Sequence, residues 1–281
     1  MFRLFSLIIF LFIIWGCSHT TQQEIDTFVI SGMEEYPKHL PGYEKSQEVP
    51  MVQEKIQQPL LPKDFYTIQF ITPLGRHVRL FVPNKGHAIG RPNKGRLMDG
   101  ICIADKGAGY VHFGRNSCAT GLTVSIVMFA IGQLHKAYPD TPPVVIGSLS
   151  RPGGGPIKPH RSHQNGLDID IGYIPADSTL KLQAFKTLPP SDIDFEKTFF
   201  LMANMIATQK VKYIFVDYTL QKYLFDAARE MGYSDEQLER LFQFPRGRYV
   251  KKGIIRYSPG HKDHFHVRFK CPPFDKECSC P

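Results

Sequence analysis

The sequence predicts an α+β domain, and three observations carry that expectation. Long stretches with apolar residues at helical spacing alternate with short runs of strand type along the chain. The strands are separated by helices and by loops rich in glycine and proline. Two of the strands, 167–171 and 265–269, alternate apolar residues with acids or histidines, which gives each a core face and a polar face. At 281 residues the chain is long enough to bury a sizeable core, and its 42% hydrophobic content is ordinary for a globular protein.

The elements follow in order. Residues 1–16 hold one cation, Arg3, ahead of an apolar run from Leu4 to Trp15. That run is too short to cross a membrane, which takes about 20 residues, and it reads as a signal peptide. It ends Ile14-Trp15-Gly16-Cys17, which resembles a lipobox with Cys17 as the acylated first residue of the mature chain. Ser18 after it implies sorting to the outer membrane of a Gram-negative cell. Residues 17–63 are rich in Gln, Glu, Lys and Pro without a sustained period, and are expected to form a flexible tether.

Residues 64–88 are read as an N-terminal hairpin extension: strands over 65–72 and 77–82 flank Pro73-Leu74-Gly75. Pro83 to Arg96, with Gly86, Gly90, Pro92 and Gly95, is expected to be loop. Val124, Val127, Met128, Ile131 and Leu134 predict a helix over 121–138. A strand at 144–146 runs into a loop starting at Arg151. Asp194 is expected to cap a helix through Gln209, followed by a buried strand over 211–216. Helices are predicted over 219–231 and 234–242, the second opening on the capping box Ser234-x-x-Gln237. Strands at 254–257 and 265–269 complete the sheet.

The site lies where the polar faces point. Asp168 and Asp170 share one face of the strand 167–171, with His160 and His163 just upstream. His264, His266 and Arg268 share one face of the C-terminal strand, with His261 before it. The chain has eleven histidines, and five of them fall in these two segments; His19, His39, His77, His87, His112 and His135 read as ordinary. Zinc takes His nitrogen and Asp oxygen, and a catalytic zinc uses three protein ligands plus water. His163, Asp170 and one of the pair His264/His266 would supply that set. Asp168 is read either as holding a ligand histidine from behind or as simply exposed.

Ser162-His163-x-x-Gly166-x-x-x-Asp170 with a distant His264-x-His266 resembles the zinc peptidases that include lysostaphin-type enzymes, D-Ala-D-Ala peptidases and the hedgehog fold. The fuller pattern, Arg-Ser-His-Gln-x-Gly-Leu-Asp-Ile-Asp-Ile-Gly with His-x-x-His-x-His-Val-Arg, is most similar to the penicillin-insensitive murein endopeptidase family, over about Ile89 to Cys278.

The resemblance implies a zinc peptidase domain over residues 89–281, with a central antiparallel sheet flanked by helices. It implies zinc on His163, Asp170 and His266, His264 as the catalytic residue, and His160 and His261 as further polar site residues. Arg151 stands at a strand end, as does an oxyanion-stabilising arginine in the related dipeptidases. The family's Asp-x-x-His segment for a second metal lacks its histidine here, since none occurs between Tyr173 and Gly260.

The implied activity is penicillin-insensitive hydrolysis of peptidoglycan cross-links of the D-Ala–meso-diaminopimelate type. Rival readings are a D-Ala-D-Ala carboxypeptidase and a zinc-bearing wall-binding lipoprotein without turnover. The implied partners are peptidoglycan and a membrane reached through the lipid anchor, in the periplasm. The net charge of +8 suits any anionic partner, nucleic acid included, and the resemblance is what removes nucleic acid from the list.

Cys102, Cys118, Cys271, Cys278 and Cys280 contain no Cys-x2-Cys pair for a structural zinc, and an exported chain would oxidise them. A Cys271–Cys278 disulfide matches a spacing in the resembling family, and Cys280 is expected to pair with Cys102 or Cys118. Substituting Cys17→Ala should release the protein from the membrane fraction or block its maturation, as read by fractionation and intact mass.

Overall fold

Residues 64–280 are described by a computed structural model; the expected signal peptide, the expected lipidation at Cys17 and the expected tether lie outside the described residues. The chain begins with β1 (Phe65–Ile71) and β2 (His77–Pro83), paired antiparallel from Phe65↔Pro83 to Ile71↔His77 as the sequence predicts. A second hairpin follows, β3 (His87–Arg91) and β4 (Lys94–Met98). This corrects the expectation of a loop over 83–96. Gly90, at φ +67, has its N–H bonded to the Glu277 carbonyl, so pairing with a segment far along the chain stabilises strands whose glycines and proline argue locally against them. Four short strands come next: β5 (Ile101–Cys102), β6 (Lys106–Gly107), β7 (Tyr110–His112) and β8 (Cys118–Ala119).

The helix α1 (Gly121–Ala137) is buried along most of its length, because it is apolar on nearly every side. Thr120 caps it, with Oγ1 accepting from the Thr123 N–H at 3.1 Å. After β9 (Val144–Ile146) and a long loop comes β10 (Asp168–Gly172). Asp194 caps α2 (Phe195–Ala207), as its position predicts; β11 (Val211–Val216) follows, then α3 (Tyr218–Glu230), capped by Asp217. The capping box of Ser234 and Gln237 opens α4 (Asp235–Leu241). The last strands are β12 (Ile255–Tyr257) and β13 (His264–Phe269).

Seven strands form one sheet in the order β12-β11-β13-β10-β9-β7-β6. The sheet is mixed rather than wholly antiparallel, since β11–β12 and β7–β9 pair parallel. Its centre is β10 against β13, antiparallel, with Asp168 opposite Arg268, Asp170 opposite His266 and Gly172 opposite His264. Strand periodicity then divides the two faces. Ile169, Ile171, Phe265, Val267 and Phe269 are fully or almost fully buried and share one core with apolar residues of α1, α2 and α3. The other face carries the acids and histidines. The first hairpin belongs to the same core through Ile68, Phe70, Leu80 and Val82, with Phe70 edge-on to Phe129 of α1 at 5.3 Å.

Cys271 and Cys278 are joined, as expected. Cys102 and Cys118 are joined to each other and Cys280 is a free thiol, which corrects the expected pairing of Cys280. The reason is register: Cys102 lies directly opposite Cys118 in the β5–β8 pair. Peptide mapping of the unreduced protein should therefore find a thiol label on Cys280 and, of these five cysteines, on no other.

Candidate metal centre

Two strands and one loop build the site. The β10–β13 register brings Asp170 beside His266 and Asp168 beside Arg268 on the face away from the helices. The loop Ser150–Leu167 then returns His163 to the same place. His163 has φ +64, a left-handed conformation that costs a non-glycine residue about 1–3 kcal/mol. Its surroundings hold it there. The His163 N–H donates to Asp168 Oδ2 at 2.9 Å, and its carbonyl accepts from Ser150 Oγ at 2.7 Å. Ser150 Oγ also accepts from the Gly166 N–H at 2.8 Å, closing the loop on itself.

The ring nitrogens are assigned by their partners. His163 Nδ1 faces the Leu149 carbonyl at 3.1 Å; a carbonyl only accepts, so Nδ1 carries the proton and Nε2 turns a lone pair to the site. His266 points Nε2 at Asp168 Oδ1, 3.1 Å away in an ion-pair contact short of hydrogen-bond alignment, and so presents Nδ1. Arg268 grips Asp168 with Nε to Oδ1 at 2.8 Å and Nη2 to Oδ2 at 3.1 Å. Burial would raise the Asp168 pKa, but His266 and Arg268 outweigh it and hold the carboxyl well below its usual range. Asp168 is thus buried beneath the histidines and is not exposed.

Three atoms converge. His163 Nε2 lies 3.2 Å from Asp170 Oδ1, His266 Nδ1 lies 3.0 Å from that same oxygen, and the two nitrogens are 3.1 Å apart. Asp170 Oδ1 is buried and has no hydrogen-bond partner, although two imidazole nitrogens face it. A buried carboxylate oxygen left so is costly, and a cation among the three atoms would satisfy it. A tetrahedral zinc needs ligand atoms about 3.3–3.5 Å apart, so the cluster would expand by only a few tenths of an ångström. Calcium and magnesium want more oxygen than this set offers. The residues fit zinc.

His160, His163 and Asp170 also offer ligand atoms that lie within 4.8 Å of one another. His163 and Asp170 are common to both sets, and the choice is between His160 and His266. His160 Nδ1 stands 3.7 Å from Asp170 Oδ2, farther than His266 stands from Oδ1, so the geometry favours His266. Without a metal, burial would lower the His266 pKa, but Asp168 and Asp170 push it up to about 9.

His264 and His261 flank the cluster. His264 Nδ1 is 2.7 Å from Asp263 Oδ1, which leaves Nε2 bare and 3.8 Å from Asp170 Oδ1. Phe185 stacks on its ring at 4.6 Å, 10° from parallel. His261 Nδ1 faces the carbonyls of Ser258 and Pro259 at 3.1 and 3.0 Å; burial first, then His266 and His264, lower its pKa to about 4, which keeps it neutral.

Residues 88–280 match the family described as penicillin-insensitive murein endopeptidase. The chain belongs to that family. It is 27% identical to the penicillin-insensitive murein endopeptidase of Haemophilus influenzae over 210 residues, 69% of this chain and 67% of the relative. It is also 27% identical to the proteins of that name from Yersinia enterocolitica, over 150 residues and 48% of each chain, and Yersinia pestis, over 161 residues, 52% of this chain and 51% of the relative. The chain thus spans about half the length of the Yersinia relatives and two thirds of the Haemophilus one.

In this murein endopeptidase family member the structure brings together His160, His163, Asp168, Asp170, His261, His264 and His266 from the sequence reading. Arg151 is exposed instead, with Nη1 donating to the Pro156 carbonyl at 3.4 Å, and among the described residues no ion pair joins it to the cluster. Sequence reasoning missed Ser150, Asp263, Phe185 and the role of Arg268. Alternation put Arg268 on the right face and Asp263 is the neighbour of His264, so those two had a signal; Phe185 had none.

The substitution Asp168→Asn should lower affinity for zinc about 10- to 100-fold while the far-ultraviolet spectrum stays native, because it weakens the group that orients His266 and His163. Competition with a chromogenic chelator measures this, and unchanged affinity would refute the orienting role.

Proposed function

We propose that this chain is a zinc-dependent murein endopeptidase, insensitive to penicillin, that hydrolyses peptide cross-links of the D-Ala–meso-diaminopimelate type in peptidoglycan. The observation that carries the reading is the convergence of His163 Nε2, Asp170 Oδ1 and His266 Nδ1, with His264 Nε2 bare beside them. The family membership and the likeness to murein endopeptidases support the substrate class. Bound zinc supplies a Lewis acid for the scissile carbonyl and a water of lowered pKa.

The protein's own residues do the rest. His163, Asp170 and His266 would hold the metal. His264 exchanges a proton at Nε2, because Asp263 fixes the proton on Nδ1 and orients the ring. Phe185, stacked flat on that ring, restrains its rotation and excludes water from one side. Neutral His261 and His160 present polar atoms to the substrate, and Arg151 at the loop edge would meet a developing or resident negative charge. No serine nucleophile is needed, which accounts for insensitivity to penicillin. With Cys17 acylated and a tether up to residue 63, the enzyme would work in the periplasm from the outer membrane.

Removing the metal with a chelator should abolish cleavage of purified peptidoglycan, read by mass analysis of the products. His266→Ala should lose zinc. His264→Ala should keep about one zinc per chain yet lose roughly two to four orders of magnitude in rate. An empty His264→Ala beside a loaded His266→Ala would reverse the two roles.

A further inference from the structure

We infer that the β3–β4 hairpin is a cationic subsite for the free carboxylates of the substrate's stem peptides, a reading that rests on the proposed endopeptidase function. The hairpin and the loop that carries His160 and His163 are bonded into one unit. The Gln164 N–H donates to the Pro92 carbonyl at 3.0 Å, and the Gly95 N–H donates to Gln164 Oε1 at 3.4 Å. The Leu97 N–H donates to the Gly153 carbonyl at 3.3 Å, and Arg96 forms a bridge with Gly154. Gly154, at φ +67, admits this approach, since a Cβ there would collide with Gln164 O and Leu97 N. The hairpin turn is therefore anchored one residue from His163.

Register sets the chemistry of its two faces. Ala88 and Leu97 lie opposite each other and are buried. Arg91 lies opposite Lys94, and Arg96 is two residues beyond Lys94, so these three cations share the outward face and all three are exposed. Like charges directly opposite on adjacent strands are destabilising. No acid occurs in residues 87–98 or in 150–167, whereas Arg151, Lys158 and Arg161 add three more exposed cations on the loop. Of the nearby acids, Asp275 is taken by His87 Nδ1 at 2.8 Å and the Ala88 N–H at 2.7 Å, while Asp99 and Glu277 are exposed. Among the described residues none of the six cations makes an ion pair. A concentration of unpaired positive charge that costs stability and is tied to the site loop fits an anionic substrate group held beside the reacting bond.

The test uses full-length protein with the triple substitution Arg91→Gln, Lys94→Gln and Arg96→Gln, none of which touches the metal cluster. Kinetics and calorimetric binding are measured on one soluble cross-linked muropeptide, once with free carboxylates and once with them amidated. The wild type should favour the free acid, with KM rising with salt. The variant should raise KM for the free acid roughly 5- to 30-fold with kcat within about twofold, and should treat the amidated form as the wild type does. Its thermal midpoint should equal or exceed that of the wild type, since like charges have been removed. Equal losses on both substrates, or an unchanged KM, would overturn the inference. So would a variant whose only defect is lost binding to vesicles of phosphatidylglycerol and phosphatidylethanolamine, which would assign the face to lipid. A wild type that cleaves neither substrate sinks the endopeptidase reading alone, because the binding preference for free acid over amide still decides this one.

Discussion

Asp168 is a carboxylate with no exposure to water, and the site is arranged around it. One oxygen accepts from Arg268 Nε and faces His266; the other accepts from Arg268 Nη2 and from the His163 N–H. A buried charge is tolerated only when it is paired and hydrogen-bonded, and here each partner is itself a part of the centre. The contacts that make Asp168 tolerable therefore orient one histidine through its ring and the other through its backbone. The left-handed backbone of His163 follows from the same arrangement. Asp168 below and Ser150 behind hold a conformation that the residue would not adopt alone.

The sheet separates this charge from the core by one peptide plane. Along β10 and β13 each polar residue has an apolar neighbour that turns the other way, into the helices. Burial of Ile169, Ile171, Phe265, Val267 and Phe269 fixes the register, because a slip by one residue would send histidines into the core and phenylalanines into the site. The stability of the hydrophobic side thus sets the precision of the polar side, with rigid strands carrying two of the three converging atoms and a braced loop carrying the third.

Much of the fold was legible because the periodic signals are local. Helices α1 to α4 and strands β1, β2 and β9 to β13 follow from spacing, and the caps Asp194 and Ser234 stand where the rules for helix starts put them. The hairpin β3–β4 was not legible, since its glycines and proline read as loop and its support comes from residues 277–279 and from the site loop. The sheet's two parallel pairs were hidden for a related reason, as strand direction depends on how distant segments meet.

By itself the sequence determined which side chains share a face, since the two-residue period of a strand is a property of the covalent chain. That placed Asp168 with Asp170, and His264 with His266 and Arg268, before any pairing was known. Only the tertiary structure decided which atoms meet. It aligned Asp170 with His266, returned His163 to them by a loop closure that no local pattern encodes, paired Cys102 with Cys118, and laid Phe185 against His264. Those contacts depend on register and loop closure, which are settled by burial summed over the whole core and not by any one segment.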